Sequence, residues 1–177
     1  MKSQKMDGSI QVYYGNGRGK TTAALGLGIR AAGVGKQVIM VQFLKKKHSD
    51  TLDFLKKLEP ELQIFRFEKA ACGYSDLSPK EKQEQMLNIK NALGYSRKVL
   101  DTGQCDLLIL DEIFGLVDYN IITIEELMDL IAVKKDSMDL ILTGRNLPDE
   151  VREIADCVYS IQREKEKTPE ILAQGNF

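Results

Sequence analysis

Histidine and tryptophan are nearly absent from this chain: among 177 residues there is one histidine, His48, and no tryptophan. A single imidazole removes most histidine-based metal centres and catalytic triads from consideration, and His48 reads as a solvated loop residue. The three cysteines, Cys72, Cys105 and Cys157, are odd in number and lack CxxC spacing. Neither a disulfide framework nor a cysteine zinc site is indicated, and buried free thiols are expected instead. With only four prolines, no internal repeat and no low-complexity block, nothing marks a linker. One domain over residues 1–177 is expected, with residues 1–9 as a flexible N-terminus. No apolar run nears the roughly 18 residues that span a bilayer, and the polar start lacks the apolar core of a secretion signal, so a cytoplasmic protein without membrane contact is expected. Lys+Arg 25 against Asp+Glu 26 leaves a net charge of -1, so no chain-wide basic field draws nucleic acid.

What is present is an alternation of short β-rich runs with helical patterns. The runs fall at residues 10–14, 38–43, 62–67, 107–110, 140–143 and 158–161. Several are apolar throughout, as in strands covered on both faces of a parallel sheet. Ser78, Pro79 and Glu81 form a capping box with proline at the first helical position, and Thr123 with Glu126 repeats the box. Pro148, followed by Asp149 and Glu150, opens a further short helix. The pattern predicts a three-layer α/β domain with a mostly parallel central sheet flanked by helices, in which ligands sit beyond the carboxyl ends of the strands.

The first run leads into Gly15, Asn16, Gly17, Arg18, Gly19, Lys20, Thr21 and Thr22, and then into an apolar-rich helix reaching Gly33. Strand, glycine loop and helix in that order cradle a polyphosphate, with backbone amides turned inward and the helix N-terminus adding partial positive charge. Lys20 would reach the terminal phosphates, the Thr21 hydroxyl would ligate Mg²⁺, and Arg18 adds a second cation. Tyr14 stands where the strict motif has its first glycine, so this is a variant phosphate loop. A glycine-rich turn that merely joins strand to helix is the alternative. The apolar run 107–110 delivers Asp111 and Glu112 to the same edge, an arrangement like a Walker B element in which carboxylate and threonine share magnesium. Which of the two meets the metal is left open by the residues themselves.

The stretch GNGRGKTTAALGLGIRAAGVGKQVIMVQFLK at residues 15–45 resembles the opening of the P-loop type ATP:corrinoid adenosyltransferases. Leu110-Asp111-Glu112-Ile113, Ile141-Leu142-Thr143-Gly144-Arg145, Ala155-Asp156 and Ala173-Gln174-Gly175 follow in that family's order. The resemblance implies a P-loop NTPase-like, RecA-like fold and transfer of the 5'-deoxyadenosyl group of ATP to the cobalt(I) of cobalamin, cobinamide or cobyrinic acid a,c-diamide, with release of tripolyphosphate. It implies Lys20, Arg18 and Glu112 as catalytic groups and residues 15–22 on the triphosphate. Thr21 and Glu112 would lie on Mg²⁺ or Mn²⁺, with Asp111 supporting the metal shell. Arg30 matches a family arginine that helps hold nucleotide, whereas local evidence alone also allows a solvated helix residue. Arg145 either lines the site or caps a turn. The family's Gly-Phe-x-Trp segment, which approaches the corrinoid, reads Gly73-Tyr74-Ser75-Asp76 here. Tyr74 stands for the phenylalanine and Asp76 for the tryptophan; Tyr74 as a loop residue without a ligand is the plainer reading. A homodimer and a flavoprotein reductant are also implied. The alternatives are a P-loop phosphotransferase or ATPase, and a non-catalytic paralogue that binds nucleotide and corrinoid.

Overall fold

A computed structural model describes residues 7–45, 55–67 and 74–165. His48, Lys46, Lys47, Cys72, Gly73 and the terminal Ala173-Gln174-Gly175 lie outside the described residues. The elements are β1 (Ile10–Tyr14), α1 (Lys20–Ala32), β2 (Val38–Gln42), β3 (Leu62–Arg66), α2 (Pro79–Thr102), β4 (Leu107–Asp111), α3 (Ile113–Asp118), α4 (Ile124–Ala132), β5 (Asp139–Gly144), α5 (Asp149–Ile154) and β6 (Cys157–Ser160). Single 3₁₀ turns occupy Lys56–Leu58 and Tyr74–Asp76.

The strands form one six-stranded sheet in the order β3-β2-β4-β5-β1-β6, and every pair is parallel. All residues of β2 and of β4 are buried, which is why the first four residues of each are apolar; the last, Gln42 and Asp111, are buried polar groups at the carboxyl edge. Alternate residues serve two cores. Val38, Met40, Leu107, Ile109 and Ile141 pack with Ala24 of α1, while Ile39, Val41, Leu108, Leu110 and Leu142 pack with α2, α3, α4 and α5 through Ile89, Phe114, Leu127 and Val151. Helices therefore cover both faces, but unequally: among the described residues α1 is the single α-helix on its side, with Leu58 of the first 3₁₀ turn beside it. Gly28 lets it come close, since a Cβ there would lie 3.1 Å from Ile109 Cδ1. Beyond α1, at the β1–β6 edge, the stacked rings of Tyr13 and Tyr159, 4.8 Å between centroids, cover that face instead of a helix.

Helix starts follow the sequence signals. Ser78 and Glu81 make both halves of a capping box ahead of α2, and Thr123 with Glu126 does the same for α4. The thiols divide. Cys105 is buried, and burial pushes it up to about 12, which leaves it an inert thiol. Cys157, expected to be buried, is exposed because β6 is the edge of the sheet and short of cover. No helix among the described residues is long and apolar enough to cross a membrane.

The entry to the sheet is tied down at its lower edge. Asp139, the first residue of β5, accepts from the Ser9 amide at 2.9 Å, the Ser9 hydroxyl at 3.0 Å and Lys36 Nζ at 3.1 Å. Burial pushes the Asp139 carboxyl up, but the Ser9 amide, Lys36 and the Ser9 hydroxyl outweigh it and hold the group below its ordinary value. A carboxyl depressed in the folded state adds stability above its unfolded pKa, near 4, and that stability is lost as pH falls through the folded value. Thermal melts between about pH 5 and pH 2 should therefore fall less steeply for Asp139→Asn than for the parent; parallel curves would show that the contact carries no linkage.

Candidate active site

The carboxyl ends of β1, β2, β4 and β5 converge on one cavity of about 520 Å³, lined by Gly15, Asn16, Gly17, Arg18, Gly19, Lys20, Thr21, Lys45, Glu112 and Arg145. Its floor is the turn from β1 into α1. Gly15 (φ 121) and Gly19 (φ 109) adopt left-handed backbone that other residues rarely accept. A Cβ on Gly15 would also meet Ile161 O at 2.4 Å. The Gly15 amide donates to Arg145 O at 3.0 Å and the Gly17 amide to Ile161 O at 2.9 Å, so these two amides fasten the loop to the ends of β5 and β6. Amides for an anion come instead from the start of α1, where Gly19 is the N-cap and no side chain caps the helix. Its first-turn N–H groups have no intrahelical partner, and the residues that open the helix, Lys20 and Thr21, line the cavity. Tyr14 remains the last residue of β1; its ring lies under the Arg152 guanidinium at 5.3 Å and its hydroxyl accepts from Arg152 at 3.4 Å.

Lys20 Nζ is drawn into the loop, donating to Gly15 O at 2.7 Å and Gly17 O at 2.9 Å. Burial pushes this ammonium below its ordinary value and nearby Lys45 and Arg145 push it the same way, against the pull of Glu112 and Asp111. Four cations, Arg18, Lys20, Lys45 and Arg145, thus face the cavity, against Glu112 on the wall and Asp111 behind it. A focused positive field of this kind selects a polyanion.

Asp111 is fully buried and saturated with donors. Its Oδ1 accepts from the hydroxyls of Thr21 at 2.9 Å and Thr143 at 2.7 Å; its Oδ2 accepts from Gln42 Nε2 at 3.0 Å, and Arg66 Nε in turn donates to Gln42 Oε1 at 2.7 Å. Glu112 sits in left-handed backbone, φ 63, with its amide donating to Thr143 Oγ1 at 2.8 Å. This kink ends the strand alternation and starts α3, so that consecutive acidic residues serve one site: Asp111 grips Thr21 from behind and Glu112 lines the cavity. Thr21, Asp111 and Glu112 are hard oxygen donors suited to Mg²⁺ or Mn²⁺. Among the described residues no group of three or more His, Cys, Asp or Glu could hold a metal alone. That fits a cation that shares its coordination between one or two protein groups and substrate phosphates.

Other sequence-nominated residues lie elsewhere. Thr22 is on the exposed side of the first turn of α1 and does not line the cavity. Arg30 is exposed in the last turn of α1, ten residues beyond Lys20 and so about 15 Å along the helix from the loop. Tyr74 is half-buried against the α2–α3 core, with its ring 5.2 Å from that of Tyr119 and Lys82 Nζ 5.7 Å from its centroid. Tyr119 closes α3, which begins just after Glu112, so α3 joins the cavity to this aromatic pair across about 10 Å. Asp76 is exposed at the end of the adjoining 3₁₀ turn. Sequence reasoning gave no role to Gln42, Thr143 or Tyr119. The first two were accessible in principle, as polar residues at the carboxyl ends of apolar strands; Tyr119 carried no such signal.

The family profile described as ATP:corrinoid adenosyltransferase BtuR/CobO/CobP matches residues 6–174. A corrinoid adenosyltransferase of Escherichia coli K12 is 30% identical over 161 residues, covering 91% of this chain and 80% of that protein. One from Salmonella typhimurium is 29% identical over the same shares of the two chains. Among solved structures, a KaiC-like protein from the archaeon Pyrococcus horikoshii superposes with a TM-score of 0.58 at 19% identity, covering 91% of this chain and 75% of that one, which supports the fold alone.

Proposed function

The chain belongs to the ATP:corrinoid adenosyltransferase family, and on that premise we propose that its phosphate loop holds the triphosphate of ATP as a leaving group while the cobalt(I) of a corrinoid attacks the ribose 5'-carbon. The cobalt electron pair forms the Co–C bond, the C–O bond breaks with its pair to the triphosphate, and cobalt passes from the +1 to the +3 state. No proton moves in this step, so no base is needed. The single observation that carries the reading is the convergence of four cations and an uncapped helix N-terminus on one cavity. Such groups stabilise charge developing on a departing polyphosphate more than they assist proton transfer.

Lys20, Arg18 and the first-turn amides of α1 would take the triphosphate oxygens, with Arg145 on the opposite wall. Thr21 and Glu112 would hold Mg²⁺ or Mn²⁺, which when bound supplies further neutralisation of the leaving group. Asp111 positions the Thr21 hydroxyl and, through Thr143, the Glu112 backbone. Arg30 lies about 15 Å along α1 from Lys20, so the nucleotide contact that the family implies for it would be with a part of ATP away from the loop-bound phosphates. A homodimer and a flavoprotein electron donor belong to the same reading, and sedimentation of the purified chain tests the first.

The aromatic pair Tyr74 and Tyr119 is proposed to face the corrinoid. An apolar ring surface offers cobalt no replacement ligand and excludes water, which favours the four-coordinate reduced state. Tyr74→Ala should therefore leave ATP affinity within about twofold while lowering the alkylation rate by at least about tenfold. Loss of ATP affinity with an unchanged rate at saturation would reverse that division of labour. The reaction itself is tested by mixing protein, MgATP and chemically reduced corrinoid without oxygen: the visible spectrum of a light-sensitive alkylcorrinoid is expected. Persistent cobalt(I) spectra with cobalamin, cobinamide and cobyrinic acid a,c-diamide would refute the proposal.

A further inference from the structure

Lys45, just beyond β2, stands where a metal would have to enter. Its ammonium donates to Thr21 Oγ1 at 3.2 Å and lies 3.5 Å from Asp111 Oδ2, with its side chain 29% exposed against 0% for Asp111. Those are the oxygen that would bind the cation and the carboxylate that orients it. An ammonium and a divalent ion cannot share so small a space in a partly buried site, because their repulsion is weakly screened there. The backbone is built to send Lys45 inward. Leu44 takes left-handed backbone, φ 56, a conformation unfavourable for a residue with a Cβ. Gly115 of α3 makes room for this turn, since a Cβ on it would come within 2.6 Å of Leu44 Cδ1. Backbone strain held in place by a neighbouring glycine at a ligand cavity is a feature of sites that change partners.

We infer that Lys45 is an internal counter-cation: in the nucleotide-free protein it neutralises Asp111 at the metal position, and it transfers to the triphosphate when the metal–nucleotide complex seats between Thr21 and Glu112. The inference rests on the reading of the loop as a metal–ATP site. Its physical content is a competition. Free divalent cation meets a positive charge already in place and binds weakly, whereas the nucleotide brings phosphate oxygens that give the ammonium a new partner. Lys45 thus makes the site select the metal–ATP complex over either component, and becomes a further triphosphate ligand beside Lys20.

The test is Mn²⁺ binding to the full chain without nucleotide, followed by electron paramagnetic resonance of the free ion. Lys45→Met should bind Mn²⁺ about tenfold more tightly than the parent, in the range of ordinary coupling between two sites. Lys45→Arg, which retains the charge, should match the parent. Mn²⁺ should also raise the melting temperature of Lys45→Met more than that of the parent, which checks folding in the same experiment. For MgATP the order reverses: Lys45→Met should bind it about tenfold more weakly, because a phosphate partner is gone. Nucleotide-free Mn²⁺ affinity in Lys45→Met equal to or below that of the parent would overturn the inference. Absence of MgATP binding to the parent would instead overturn the reading of the loop, so the two failures are distinguishable.

Discussion

Lys20→Ala should lower kcat/KM for ATP by about 10²–10³-fold, the effect of removing one preorganised donor from a site of developing negative charge. The loss should appear in both KM and kcat, because the ammonium neutralises the triphosphate in the ground state and more strongly as the C–O bond breaks. The fold should survive. Lys20 Nζ is bound only to the carbonyls of Gly15 and Gly17 in the described structure, and both are at a solvent-accessible cavity where water can replace it. Lys20→Arg should recover little, since a planar guanidinium does not fit a cradle shaped by two closely spaced carbonyls. Steady-state kinetics with saturating reduced corrinoid checks this, and a change under threefold would remove Lys20 from the leaving-group machinery.

Asp111→Asn is expected to damage stability and activity together. Whichever carboxylate oxygen becomes the asparagine nitrogen meets donors, the hydroxyls of Thr21 and Thr143 at Oδ1 or the Thr21 hydroxyl, the Gln42 amide and Lys45 at Oδ2, and the Lys45 charge would lose its partner. A buried acceptor turned into a donor among donors costs roughly 2–4 kcal/mol. For a chain of this size that lowers Tm by roughly 4–16 °C. The residual folded protein should need about 10–100-fold more Mg²⁺ for the same rate, because Thr21 and Glu112 are no longer oriented. Differential scanning calorimetry with a Mg²⁺ titration of the rate separates the two effects. A normal Tm with a normal Mg²⁺ requirement would place Asp111 outside the metal shell.

The fold was legible because its signals are local. Strand runs, capping boxes at Ser78 and Thr123, and the glycine loop each depend on residues within a few positions, and the structure puts them where the pattern does, with ends differing by one residue. Strand order was not legible, because it depends on which crossovers pack against which face. The helix α3 escaped for a related reason: it is short, and it starts from a left-handed Glu112 that no propensity anticipates. In the site, the loop cations and the acidic pair were visible as a spacing. The partners that give them their roles were not, since Gln42, Thr143 and Arg66 come from three separate strands, and only the register of the sheet brings Gln42 and Thr143 to Asp111 and Arg66 to Gln42. The exposed Cys157 shows the converse limit: composition makes a thiol look buried, but position at the sheet edge decides.

The phosphorus product is the most direct test of where ATP is attacked. With anaerobic protein, MgATP and a reduced corrinoid, ³¹P spectra of the filtrate should show tripolyphosphate accumulating one for one with alkylcorrinoid. ADP and orthophosphate in its place would mean that phosphorus, and not the 5'-carbon, is the reacting atom in this cavity.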